Sequence, residues 1–228
     1  MRYRLLEPPN GWRAFSFEFV TIVLGVLVAL GAQELAQDFH WRRQVTETRH
    51  ALDAELARDL AAFDQRYNNR PCISARLAEL KRWSESVGAG RPLALKGEIQ
   101  EPPFFSIRTA AWEITDGEIA SRIPLSAKLN YAALYDGLRK YDELKQDESE
   151  AWSTLAEYGT AKRFDEADRR VIERAFNDIE DFNDGLDAFK IPIDRFAGGL
   201  DIRAERSLLG GANPLVSKWQ EEACQPLL

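Results

Sequence analysis

Histidine and cysteine are scarce in this 228-residue chain, which holds two of each. That leaves too few soft ligands for a four-cysteine metal module, and the spacing does not suit a zinc finger. Basic residues are in deficit, with 30 Lys and Arg against 37 Asp and Glu and a formal charge of −7. A general nucleic-acid binder needs a basic footprint to displace counterions, so nucleic acid is excluded as an expected partner. Fourteen glycines and ten prolines are too few for a collagenous or low-complexity chain. The sequence has no Gly-x-Ser-x-Gly elbow, no phosphate loop with Gly-Lys-Ser/Thr and no Gly-x-Gly-x-x-Gly. It also lacks two-residue alternation, internal repeats and a second apolar span.

What is present begins with FSFEFVTIVLGVLVALGA, Phe15–Ala32, in which Phe19–Ala32 runs fourteen residues without a charge. Taken from Phe15 to Ala36, about 22 residues at 1.5 Å each span roughly 33 Å, enough for a hydrocarbon core. Trp12 and Phe15 flank it on one side, Phe39 and Trp41 on the other, as interfacial aromatics do. The stretch predicts one transmembrane helix. A cleaved signal peptide is the rival, with Arg2, Arg4 and Arg13 as its basic region and Ala29-Leu30-Gly31 as its cleavage site. Against that rival, Glu18 opens the apolar run, and the helical pattern continues into Gln33–Phe63. Arg42, Arg43 and Arg49 balance the arginines before the span, so the basic-loop bias discriminates weakly. The orientation adopted is a short cytoplasmic tail, residues 1–14, a span at 15–36, and a periplasmic domain at 37–228.

Glu18, Thr21, Gly25, Ala29, Ala32 and Ala36 recur every three or four positions and share one helix face. Gly25 and Ala29 form a small-xxx-small pair that lets two backbones approach in lipid. The face reads either as a contact with a copy of itself or another membrane protein, or as the ordinary small-residue content of membrane helices. Glu18 reads either as an interfacial carboxylate at the positive helix end, or as one half of a salt bridge to a partner helix.

Beyond the span, Trp41, Val45, Thr48, Leu52, Leu56, Leu60 and Phe63 keep helical spacing, while Arg42, Arg43, Glu47, Arg49, Asp53 and Asp59 fill other faces. Pro71 permits a second helix with Ile73, Leu77, Leu80 and Trp83, ending at Gly88. Gly88–Phe105, with Pro92 and Pro102-Pro103, reads as a loop. Short helices are expected at Ser106–Ile114 and Glu118–Ile123, separated by an Asp116-Gly117 turn. Ser126 is a candidate N-cap for a long helix with Leu129, Ala133, Leu138, Tyr141, Leu144, Trp152 and Leu155. Asp165 is a candidate cap for the next, striped by Val171, Ala175, Ile179, Phe182, Leu186 and Phe189 and interrupted at Pro192. Gly198-Gly199 and Gly210-Gly211 punctuate the tail, and Pro214–Cys224 reads as a last short helix. The expected fold is all-α, a transmembrane helix continuing into an antiparallel bundle.

EFVTIVLGVLVALGAQELAQD followed by WRRQVTETRHALDAELARDL, and the later block RTAAWEITDGEIASRIPLSAKLNYAALYDGLRKYDEL, resemble a broad bacterial family of membrane-anchored proteins of unknown function. The resemblance covers roughly residues 15–65 and 105–145. It implies an anchored helical domain and no known activity, and it carries over no catalytic residue; the expected location is the inner membrane, crossed once.

Chemistry has few candidates. Glu47 and His50 make one Glu-x-x-His element, but His40 has Gln37 three residues before it, so a di-iron pair is not completed. No metal and no cofactor are expected. Cys72 and Cys224, about 150 residues apart, read as a structural disulfide, as two separate buried thiols, or as a redox or metal pair. Trp112, Glu113, Asp116 and Glu118 form a candidate binding surface, against which stands a tryptophan anchoring a helix corner. Asp178, Glu180, Asp181 and Asp184 read as a solvated acidic face. The expected role is an accessory or scaffold protein in the bilayer, not an enzyme. Two alternatives stand beside it. One is a ligand-binding sensor bundle with a cavity lined by Trp83, Trp112, Tyr131 or Tyr135; the other is a hydrolase using paired carboxylates such as Glu113.

Overall fold

The computed structural model describes residues 11–115, 117–209 and 224–228. Among them there are six α-helices and no strand: α1 (Gly11–Asn68), α2 (Arg70–Gly88), α3 (Ala110–Glu113), α4 (Gly117–Arg122), α5 (Leu125–Glu157) and α6 (Glu166–Leu200), followed by a 3-10 turn at Arg206–Leu209. The fold is all-α. The chain forms two units, residues 1–48 and 49–228, and α1 contributes to both.

In the first unit the apolar part of α1 packs against nothing among the described residues. Phe17, Val20, Leu24, Leu27 and Leu30 are all exposed, and the helix is long and apolar enough to cross a membrane. The Thr21 hydroxyl donates to the Phe17 carbonyl at 2.8 Å, which satisfies it within the helix.

The second unit has its own core. Leu52, Leu56, Leu60 and Phe63 of α1 are buried, as their spacing requires. Phe63 meets Tyr141 of α5 edge-on at 5.0 Å, and Tyr141 stacks on Phe182 of α6. A further cluster joins Ile73, Leu77, Leu80 and Trp83 of α2 to Trp152 and Leu155 of α5 and to Ile172, Phe176 and Ile179 of α6. The contacts Tyr158–Phe164, Tyr141–Phe182, Gly137–Ile193 and Asn130–Gly199 run in opposite senses, so α5 and α6 are antiparallel. A Cβ at Gly199 would lie 2.5 Å from the Asn130 amide nitrogen, so a side chain there has to displace the Asn130 carboxamide.

Asp165 caps α6 in a complete capping box with Asp168, its carboxylate accepting from the amides of Ala167 and Asp168. At the other end Asp201 sits at φ 57° and Ile202 N–H donates to Ala197 O, which closes the helix in a Schellman turn.

Several local expectations are corrected. Pro192 does not interrupt α6. Its missing N–H orphans only the carbonyl of Ala188, an exposed residue that water can serve. Lys190 and Asp194 pair at 2.6 Å across the proline, and buried Ile193 holds the helix beyond it. Gly198 and Gly199 lie inside the last turn of α6. The apolar stripe includes Ile172, while Val171 is exposed, as is Leu129 on α5. Helix α5 starts at Leu125 with Pro124 at its cap, which places Ser126 in the first turn. Only Ala110–Glu113 of the expected Ser106–Ile114 helix is helical. Gly210-Gly211 and nearly all of Pro214–Cys224 lie outside the described residues, as does Asp116.

Candidate functional site

The sequence-derived binding surface lies on α3 and α4. Trp112 is half-buried and stacks on Tyr135 of α5, with ring centroids 5.2 Å apart. Glu113 and Glu118 are exposed, and Glu113 accepts from the Thr109 hydroxyl. The N-terminus of α3 is tied inward, for the Ala111 amide donates to both oxygens of Glu55 at 3.1 Å. Trp112 therefore anchors a helix corner. Trp112→Ala is expected to cost about 2–3 kcal/mol, the stacking and half-buried area of one indole, read as a lower denaturation midpoint.

Of the other aromatic residues proposed for a cavity, Trp83 is packed apart from Trp112, Tyr131 and Tyr135. Trp83 lies edge-on to Phe164 at 5.6 Å. Tyr131 and Tyr135 are fully buried, and their hydroxyls donate to Asp53 and Glu55 of α1. Burial, then the bond to Asp53, pushes the Tyr131 phenol up to about 12. Burial and Glu55 drive Tyr135 further in the same direction. An open groove of about 540 Å³ runs between α2 and α6, lined by Lys81, Glu85, Arg169, Glu173 and Phe176.

Sequence reasoning missed the densest polar chemistry, which is buried. Asp59 is 0% exposed, with Arg58 Nη1 at 2.6 Å from Oδ1 and the Arg108 amide at 3.0 Å from Oδ2. Arg66 forms a two-pronged bridge to Glu148 at 3.0 and 2.7 Å and donates to Asn183 Oδ1 at 3.1 Å. Lys145 is buried beside Glu101. Spacing sets Asp59 on a face other than that of Leu52, Leu56 and Leu60; the structure corrects this, for Asp59 is as buried as they are. The only available signal was that Glu55 and Asp59 are one turn apart and share a face with the buried leucines.

Glu47 and His50 are both exposed. Among the described residues, no group of three or more His, Cys, Asp or Glu is placed to hold a metal ion. Glu180 pairs with Lys81 at 2.7 Å, while Asp178, Asp181 and Asp184 are exposed. Cys72 and Cys224 stand at disulfide-bonding distance, with Cα atoms 5.4 Å apart. Around that link Arg76 Nη2 donates to Gln225 O at 2.6 Å, and the Leu227 amide donates to Glu79 at 2.8 Å. Glu18, Thr21, Gly25, Ala29, Ala32 and Ala36 all lie exposed on α1, with open space around the Gly25 Cβ position.

These features define a class: an all-α chain with one candidate membrane span and a separately packed helical domain. No family model matches the chain, and no curated protein or solved structure matches it either.

Proposed function

We propose that this chain is a membrane-anchored accessory or scaffold protein of the bacterial cell envelope, acting through contacts and not through turnover of a substrate. Residues 15–36 span the inner membrane once, and the helical domain lies on the periplasmic side. The observation that carries this reading is the exposure of the apolar part of α1, while residues 49–228 bury a core of their own. Left in water, that much apolar surface costs roughly 25 cal/mol per Å², so it calls for lipid or a partner. The cysteine pair supports an oxidising compartment for the domain. The resemblance of residues 15–65 and 105–145 to anchored bacterial proteins points the same way.

Within the bilayer, the Glu18–Ala36 face selects the neighbour, either another membrane protein or a second copy. The paired substitution Gly25→Leu and Ala29→Leu tests this. Both side chains enter open space, so the helix itself is left intact. The expected result is loss of the cross-linked partner with the chain still in the membrane fraction. An unchanged set of cross-linked partners would remove the face from the account.

A further inference from the structure

The non-helical segment 99–109, with the start of α3, closes over two ionisable groups that have almost no access to solvent. One is Asp59 on α1. The other is Lys145 on α5, 2% exposed, whose Nζ lies over the Phe104 ring and 3.6 Å from Glu101 Oε1. That Nζ has no hydrogen-bond partner among the described residues.

The segment is itself held by carboxylates. The amide of Ile107 donates to Asp142, that of Arg108 to Asp59 and that of Ala111 to Glu55. The Ser106 carbonyl accepts from Arg58 at 2.8 Å, and Ser149 donates to Glu101 at 2.7 Å. Facing Asp59 are Arg58 and Glu55 from α1, the Arg108 amide from the segment and Tyr135 from α5. Facing Lys145 are Glu101 and Phe104 from the segment, Asp142 and Glu148 from α5 and Arg66 from α1.

We propose that residues 99–111 form a strap whose closure is weakest near neutral pH and is tightened by either acid or alkali. The closed strap holds Asp59 and Lys145 more favourably as neutral groups than as charges, and opening returns both to water.

The direction follows from linkage. Burial raises the Asp59 carboxyl from 3.8 to about 7 in the closed form. The closed form therefore binds more protons between those values, and acidification through about 7 favours closure. Burial lowers the Lys145 ammonium from 10.5 to about 8. The closed form there binds fewer protons, so raising the pH beyond about 8 also favours closure. Between the two windows both groups are charged, and opening is easiest.

Hydrogen exchange on the full chain in detergent tests this, with rates corrected for the pH dependence of chemical exchange. Peptides covering 99–111 are expected to show least protection at about pH 7.5 and roughly tenfold or more protection at about pH 5 and about pH 10. Asp59→Asn removes the acid limb and leaves the alkaline one; Lys145→Met does the reverse. A flat profile, or limbs unmoved by either substitution, overturns the proposal. So does an equal profile in peptides from Ile179–Leu186, which would mean that the whole domain responds. That comparison is made on the natural sequence and stands even where a variant fails to fold.

Discussion

Arg66→Ala is expected to destabilise the helical domain by about 3–5 kcal/mol, the cost of leaving one member of a buried ion pair alone. Arg66 and Glu148 are 3% and 4% exposed at their side chains. The guanidinium spends Nε and Nη2 on the two carboxylate oxygens and Nη1 on Asn183. Its planar face lies 5.3 Å from the centre of the Phe182 ring. Asn183 passes the connection on to Ser74 of α2, and Trp152 Nε1 donates to Glu148. One arginine on α1 therefore organises polar groups on α2, α5 and α6. Removing it strands a carboxylate in the core, a loss that water cannot repair there. Replacing both partners by apolar residues, Arg66→Met with Glu148→Leu, is expected to recover most of the stability, because no charge is then left buried. Urea denaturation followed by tryptophan fluorescence reads both results. Equal losses in the single and the double variant would show that the pair itself, and not the stranded charge, sets the cost.

Loss of the cysteine link is expected to be of similar size. Cys72 and Cys224 close 152 residues of sequence, nearly the whole helical domain. By loop-closure entropy such a bridge restrains the unfolded chain by about 5 kcal/mol, less any strain in the folded state. The tail it fixes also has work in the fold. Leu227 is buried in the cluster of α2, α5 and α6, and its carbonyl accepts the Lys96 amide at 2.8 Å. Cys72→Ser is therefore expected to lower stability by about 3–5 kcal/mol and to loosen the segment following Arg91 as well. Denaturation with and without reductant checks the first part. Hydrogen exchange near Lys96 checks the second.

The sequence made the scaffold of this domain legible through a few strong local signals. Leu52, Leu56, Leu60 and Phe63 repeat at helical spacing, and all four are buried. Asp165 precedes a helical pattern with Asp168 three residues on, and the box forms. Pro71 falls in the first turn of α2, where its missing N–H costs nothing, and the helix runs to Gly88 as its pattern requires, with Gly90 at φ 71° turning the chain away. Those cues act within a few residues and survive in any tertiary setting.

The buried charges were not legible for the opposite reason. Periodicity assigns every Asp, Lys or Arg to a solvated face, so Asp59, Arg66 and Lys145 were hidden by their own chemistry. Each has a partner far away in sequence that periodicity does not reveal: Arg108 for Asp59, Glu148 for Arg66, Glu101 and Phe104 for Lys145. The same holds for Ile107 and Arg108, whose amides are taken by carboxylates of α5 and α1 in place of a helix of their own. Pro192 misled because its cost depends on whether the carbonyl four residues earlier can reach water, which a sequence does not state. Trp112, singled out for binding, is half-occupied by its stacking on Tyr135.

The measurement that bears most directly on the proposed role is affinity purification of the full chain from native membranes in mild detergent, followed by cross-linking mass spectrometry. The account predicts recovery from the membrane fraction with a partner in fixed ratio, cross-linked through residues flanking the 15–36 helix and through the surface of residues 49–228. Recovery in the aqueous fraction, or from membranes with no partner at all, would contradict it.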